Sequence, residues 1–148
     1  MLRPPCTGLA VAALTGLLGC AGQPPAPKPA TAGAHGAPMD AQALAALYAA
    51  PHRENGVVLG GAHQGTHWVK WTKPDGSLEL SAAHGLFADT GHYVLRGNQL
   101  CARWTQIDHG RENCMHLIED GPGQYTSIGA DGRPGSRFTV VPGGRDGG

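Results

Sequence analysis

A short apolar run stands near the start of the chain. It covers residues 9–18, with Arg3 before it and the small Gly19 directly after it. A run of this length is about half of the roughly 20 residues that a helix needs to cross hydrocarbon. A positive start, a short apolar stretch and a small residue at its end are typical of a cleaved export signal.

The next periodic segment predicts one short helix, which ends at Ala50. Asp40 is placed to cap it, Leu44, Leu47 and Tyr48 fall on one face, and Pro51 follows. After the helix, apolar positions alternate between turn residues, which is typical of antiparallel β structure. Strands are predicted at residues 56–60, 66–72, 77–82, 92–96, 99–106, 113–119, 125–128 and 137–141, and residues 84–90 are predicted to be a loop.

Together these elements predict a mainly β domain over residues 39–142. It would be a small antiparallel β meander of about six to eight strands with one short N-terminal helix. Gly97-Asn98 is suited to the positive φ of a two-residue hairpin turn. A curved sheet or a closed barrel would protect the sheet edges, and the alternation does not choose between them.

The tryptophans alternate with polar residues along two of the predicted strands. Trp71 and Trp104 occupy positions expected for the core, whereas Trp68 lies on the opposite face from Trp71. Trp68 is equally compatible with the core and with an exposed position. An exposed Trp68 beside Lys70 would be the first candidate for a binding surface.

The four cysteines fall into two groups. Cys6 lies within the predicted signal and Cys20 directly after it, whereas Cys101 and Cys114 lie in adjacent predicted strands, nearly opposite each other. In an oxidising compartment such a pair is expected to form a disulfide. A metal or redox pair is the alternative, but the spacing is not that of a CxxC motif.

Leu17-Leu18-Gly19-Cys20 resembles the lipobox of bacterial lipoproteins. The resemblance implies a signal peptide at residues 1–19, cleavage before Cys20 and acylation of that cysteine, which anchors the chain to a membrane. Residues 20–38 would then be the lipidated cysteine and a Pro/Ala-rich tether, and residues 143–148 a flexible tail. By resemblance to enterobacterial lipoprotein sorting, Ala21 in place of Asp implies the outer rather than the inner membrane, with the domain facing the periplasm.

A second resemblance rests on Pro74-Asp75-Gly76, on residues 97–104 with their Cys-x-x-Trp, on Cys114 and on Asp120-Gly121. Together they resemble a family of uncharacterised exported proteins, mainly from alphaproteobacteria, known only as a domain of unknown function. The resemblance implies a compact β-rich domain with a cystine. It carries no catalytic residues over to this chain.

Charge excludes one class of partner. Cleavage before Cys20 would remove Arg3 alone among the charged residues and leave ten Lys or Arg against eleven Asp or Glu. There is no basic cluster with interleaved aromatic residues, so no nucleic-acid partner is expected.

The histidines offer weak candidates for a metal site. His63 and His67 have the spacing of two ligands on one helical turn, but the neighbouring glycines disfavour a helix, and in a strand the rings would lie roughly 13 Å apart. A metal site would then need His84 or His92 to complete it across the sheet. Solvated histidines are the alternative.

No catalytic motif accompanies these candidates, since none of the serines stands in GxSxG and there is no HExxH. We therefore expect no enzyme and no cofactor. The expected function is that of a non-enzymatic lipoprotein that binds an envelope protein or supports the envelope. The alternative is a small-ligand or metal-binding module that uses His and Trp side chains.

Overall fold

A computed structural model describes residues 36–143 as a closed antiparallel barrel of eight strands. Each strand pairs with the next along the chain, and the last pairs back with the first. This confirms the predicted mainly β class and shows that the sheet is closed. The predicted signal peptide, Cys20, most of the tether and the end of the tail lie outside the described residues.

The helix and strands are short. The helix is α1 (Ala41–Tyr48), and the strands are β1 (His52–Val58), β2 (His67–Thr72), β3 (Ser77–Ala82), β4 (Phe87–Arg96), β5 (Gln99–Trp104), β6 (Glu112–Gly121), β7 (Gln124–Gly129) and β8 (Pro134–Pro142).

Two strands begin at least four residues before their predicted start. β1 begins at His52 rather than at residue 56, and β4 begins at Phe87, inside the segment predicted to be a loop. In both segments some inward-facing residues are polar or glycine. The alternation of apolar and polar residues that predicts a strand is therefore missing there. In β4 one of these inward-facing residues is Gly91, where an added Cβ would lie 3.1 Å from the Trp104 Cα atom. The glycine there permits close packing of β5 and does not mark a turn.

The helix covers one end of the barrel. The Asp40 carboxylate accepts a hydrogen bond from the Ala43 backbone N–H at 2.7 Å and so caps α1, as predicted. Leu44 and Tyr48 are buried in the same core as the inward residues of the strands. Before the helix, the Met39 N–H donates to the Leu117 carbonyl at 2.8 Å, which attaches the segment to β6. An isolated helix of this length is marginal, so packing on the barrel stabilises it.

The predicted disulfide is confirmed. Cys101 on β5 and Cys114 on β6 are direct partners in the strand register, and their sulfurs are bonded. Because Leu100 and Ala102 point into the barrel, the disulfide lies on the outer side of the wall.

Gly56 allows close packing inside the barrel. A Cβ at this position would contact the Trp68 ring and would lie 2.7 Å from the Phe138 Cβ atom. We expect Gly56→Ala to lower the free energy of unfolding by about 1 to 3 kcal/mol, because two packed aromatic residues would have to move. Urea denaturation measures the change. Gly121→Ala is the matched control, since nothing lies within 4 Å of its added Cβ, and an equal effect of both variants would contradict this packing.

Candidate functional site

Trp68 and Lys70 point into the barrel and not to its outer surface. Trp68 is 9% exposed and the Lys70 side chain 12%. The proposed exposed binding surface at these two residues is therefore wrong. The opposite face of β2 carries Trp71, which is half-buried on the outer side, so its predicted place in the core is wrong as well. Trp104 does pack against the core, as predicted.

A buried carboxylate lies beside Lys70 inside the barrel. Glu54 on β1 is fully buried, and its Oε2 atom lies 2.6 Å from the Lys70 Nζ atom. Its Oε1 atom accepts a hydrogen bond from the Tyr48 hydroxyl at 3.0 Å and lies 3.0 Å from the His52 Nε2 atom. We call these four residues, Tyr48, His52, Glu54 and Lys70, the interior cluster.

The fold brings the interior cluster together from three elements. Glu54 and Lys70 are direct partners in the β1–β2 register, so their side chains leave the wall on the same side. His52 lies two residues before Glu54 and therefore shares its face. Tyr48 is the last residue of α1 and reaches the carboxylate from above the barrel end.

Electrostatics keep Glu54 ionised and Tyr48 protonated. Burial alone would raise the pKa of Glu54, but the positive charge of Lys70 and hydrogen bonds from His52 and Lys70 outweigh it and hold the pKa below the ordinary 4.5. Burial, followed by the negative charge of Glu54, raises the pKa of Tyr48 well above 10.0. The phenol therefore remains a hydrogen-bond donor to the carboxylate.

Aromatic rings surround the cation of this pair. The Lys70 Nζ atom lies 5.7 Å from the ring centroids of both Trp68 and Phe138, within the range of a cation–π interaction. The charge of Lys70 is thus balanced by one carboxylate and by two ring faces. Since Glu54 is fully buried, the cluster supplies fixed internal electrostatics and presents no carboxylate to an outside reactant.

The four histidines proposed as weak metal candidates are all exposed. His63 lies in a short 3₁₀ turn, His67 begins β2, His84 lies in the turn before β4, and His92 lies within β4. Within residues 36–143, one group of three potential ligands has its atoms close together, and it consists of Cys101, Glu112 and Cys114. Its two sulfurs are already bonded to each other, so they are not thiolate ligands.

A groove of about 410 Å³ lies where β1, β2 and β8 meet. Its lining includes Val57 and Val69, with His67, Arg137 and Thr139 also bordering it. The groove combines an apolar floor with polar neighbours, which suits a weakly polar side chain or small molecule.

A second buried carboxylate supports the loop between β5 and β6. Asp89 is 4% exposed and accepts backbone N–H groups of Gln106 and Ile107 at 2.9 to 3.2 Å. Burial alone would raise the pKa of Asp89. Hydrogen bonds from the backbone N–H groups of Ile107, Gln106 and Thr90 outweigh this effect, so the pKa is lowered. Asp89 therefore stabilises loop conformation in its ionised form.

Sequence reasoning missed Glu54, His52 and the role of Tyr48. The available signal was Lys70, which shares a strand face with Trp68. If Trp68 is placed inside, the lysine beside it requires a buried negative partner. The sequence contains no local mark that would select Glu54 as this partner.

No protein-family model, curated protein or solved structure matches the chain. Among residues 36–143 there is no helix with both the length and the apolar character required to span a membrane.

Proposed function

We propose that this chain is a lipid-anchored protein of the bacterial cell envelope, attached through Cys20, whose barrel faces the periplasm. Its barrel would act as a non-enzymatic binding or structural module, with an envelope protein as the expected partner. The outer membrane is the expected site of the anchor, because Ala21 follows the cysteine.

The observation that carries this proposal is the disulfide between Cys101 and Cys114. Disulfides persist in oxidising compartments such as the periplasm and are rare in the bacterial cytosol. The signal-like residues 9–20 and the disulfide are far apart in the sequence and support the same compartment independently.

Binding through the outer wall and loops agrees with how the barrel is filled. Core side chains and the interior cluster occupy the inside, and α1 covers one end. The groove beside Val57 and Val69 offers an accessible concave surface, and Gly56, Trp68 and Phe138 of the interior also line it. A partner would therefore contact the exterior of the closed barrel.

Lipidation at Cys20 is tested by replacing each N-terminal cysteine separately. Wild-type protein expressed in bacteria is expected to incorporate radiolabelled palmitate and to fractionate with the outer membrane. Cys20→Ser should lose the label and the membrane attachment. The matched control is Cys6→Ser, which lies within the predicted signal and should keep both. An unlabelled wild-type chain, or one that retains residues 1–19, would contradict the proposal.

A further inference from the structure

We infer that Glu54 acts as an acid-sensitive latch that holds α1 over the end of the barrel. The inference rests on contacts within residues 41–93 and does not depend on lipidation or on the proposed function.

The polar contacts at the end of α1 converge on the interior cluster. The Tyr48 hydroxyl donates to Glu54, whereas the Tyr93 hydroxyl donates to the Lys73 carbonyl at 2.9 Å and lies 3.4 Å from the Tyr48 carbonyl oxygen. Only residues 49–51 connect α1 to β1, and the His52 Nδ1 atom lies 3.2 Å from the Ala50 carbonyl oxygen in this link. Glu54 thus binds the last helical residue directly, and His52 lies between Glu54 and the link.

The groups that face Glu54 make its charge essential. They are Tyr48 from α1, His52 from β1, Lys70 from β2 and, at longer range, Tyr93 from β4, while β8 places Val140 opposite Glu54. Among the four ionisable groups of the interior cluster, Glu54 is the one carboxylate. Protonation of Glu54 would leave the Lys70 ammonium buried without a counter-charge.

The helix is the part that yields most easily. Entry of water would relieve the uncompensated ammonium, and the end nearest the cluster is covered by an eight-residue helix that is marginal by itself. The strands, in contrast, are joined around the whole barrel. Release of α1 would uncover the apolar interior that Leu44 and Tyr48 now close.

The direction of the pH dependence follows from the lowered pKa of Glu54. Contacts that favour its ionised form stabilise the closed state fully above the ordinary value of 4.5 and lose this effect as the pH falls through the lower value of the folded state. The latch is therefore closed at neutral pH and weakens below about pH 4.5.

Hydrogen exchange of the full chain, followed by mass spectrometry at pH 7 and pH 3.5 and corrected for intrinsic exchange rates, tests the latch. Residues 41–48 should lose protection by about threefold to tenfold at the lower pH, whereas β5 and β7 should change less than twofold. The loss should reverse when the pH is restored. Loss of protection in α1 and the strands together, or no loss in α1, would overturn the inference.

Two variants separate the latch from general acid sensitivity. The combined variant Glu54→Gln, Lys70→Met removes the titrating carboxylate together with the ammonium that it balances, so residues 41–48 should respond less than twofold to acid. Asp75→Asn removes an exposed carboxylate that interacts electrostatically with Tyr93, and it should retain the wild-type response. A wild-type response in the combined variant, or a lost response in Asp75→Asn, would contradict the assignment to Glu54.

Discussion

Glu54→Gln is expected to lower the free energy of unfolding by about 3 to 5 kcal/mol at pH 7. The amide cannot balance the charge of Lys70, whose side chain is only 12% exposed, and removal of one partner leaves a buried cation unpaired. Urea denaturation followed by tryptophan fluorescence measures this loss, and Trp68 beside the pair makes the fluorescence sensitive to the site.

An exposed ion pair provides the matched control for this variant. Arg133 lies 3.7 Å from Asp131, and both side chains are largely exposed. Arg133→Gln should change the free energy of unfolding by less than about 0.5 kcal/mol, because solvent screens such pairs. If Glu54→Gln also lowered the free energy of unfolding by less than about 1 kcal/mol, the Glu54–Lys70 pair would not stabilise the barrel as proposed.

The double variant Cys101→Ala, Cys114→Ala is expected to lower the free energy of unfolding by about 3 kcal/mol. The two cysteines are 13 residues apart, and their bond restricts the unfolded chain by closing this loop. Alanine keeps the buried position of Cys101 apolar, so the change reports mainly on the crosslink. Urea denaturation with and without a reducing agent gives the value.

The reducing agent supplies the internal control. It should lower the unfolding midpoint of the wild-type protein and leave the double variant unchanged. An unchanged wild-type midpoint after both thiols are shown to be free would contradict a stabilising role for the disulfide.

Local features of this fold are predictable from sequence. The cap at Asp40, the turn at residues 73–76 and the hairpin at Gly97-Asn98 each depend on residues within one short segment. The disulfide was predictable for a related reason, since the hairpin-like return from β5 to β6 sets its two cysteines opposite each other.

Features that depend on distant residues were not predictable. Closure of the barrel requires β1 and β8 to pair across most of the domain, and no local pattern encodes that pairing. β1 was predicted four residues too short at its start because its inward residues His52 and Glu54 are polar. Burial of these two side chains is favourable only because Lys70 and Tyr48 supply the charge and the hydrogen bond that compensate it.

The misplacement of Trp71 has a similar origin. Successive strand residues point to opposite faces, so the assignment of Trp71 to the core made Trp68 and Lys70 candidates for an exposed surface. A lysine on one face ordinarily marks the solvent side. Here Glu54 and the rings of Trp68 and Phe138 balance its charge, which reverses that inference.

The interior cluster contributes both to the stability of the barrel wall and to the position of α1. It joins β1 to β2 through an ion pair and β1 to α1 through a hydrogen bond. The same carboxylate thus supports the wall and the cover of the barrel end. Its role depends on direct coupling between Glu54 and Lys70.

A double-mutant cycle measures that coupling most directly. Glu54→Gln, Lys70→Met and the combined variant are compared with the wild-type protein by urea denaturation at pH 7. We predict that the combined variant is more stable than the sum of the single losses by at least about 1.5 kcal/mol, because neither charge is then left alone. A coupling free energy within about 0.5 kcal/mol of zero would contradict the account.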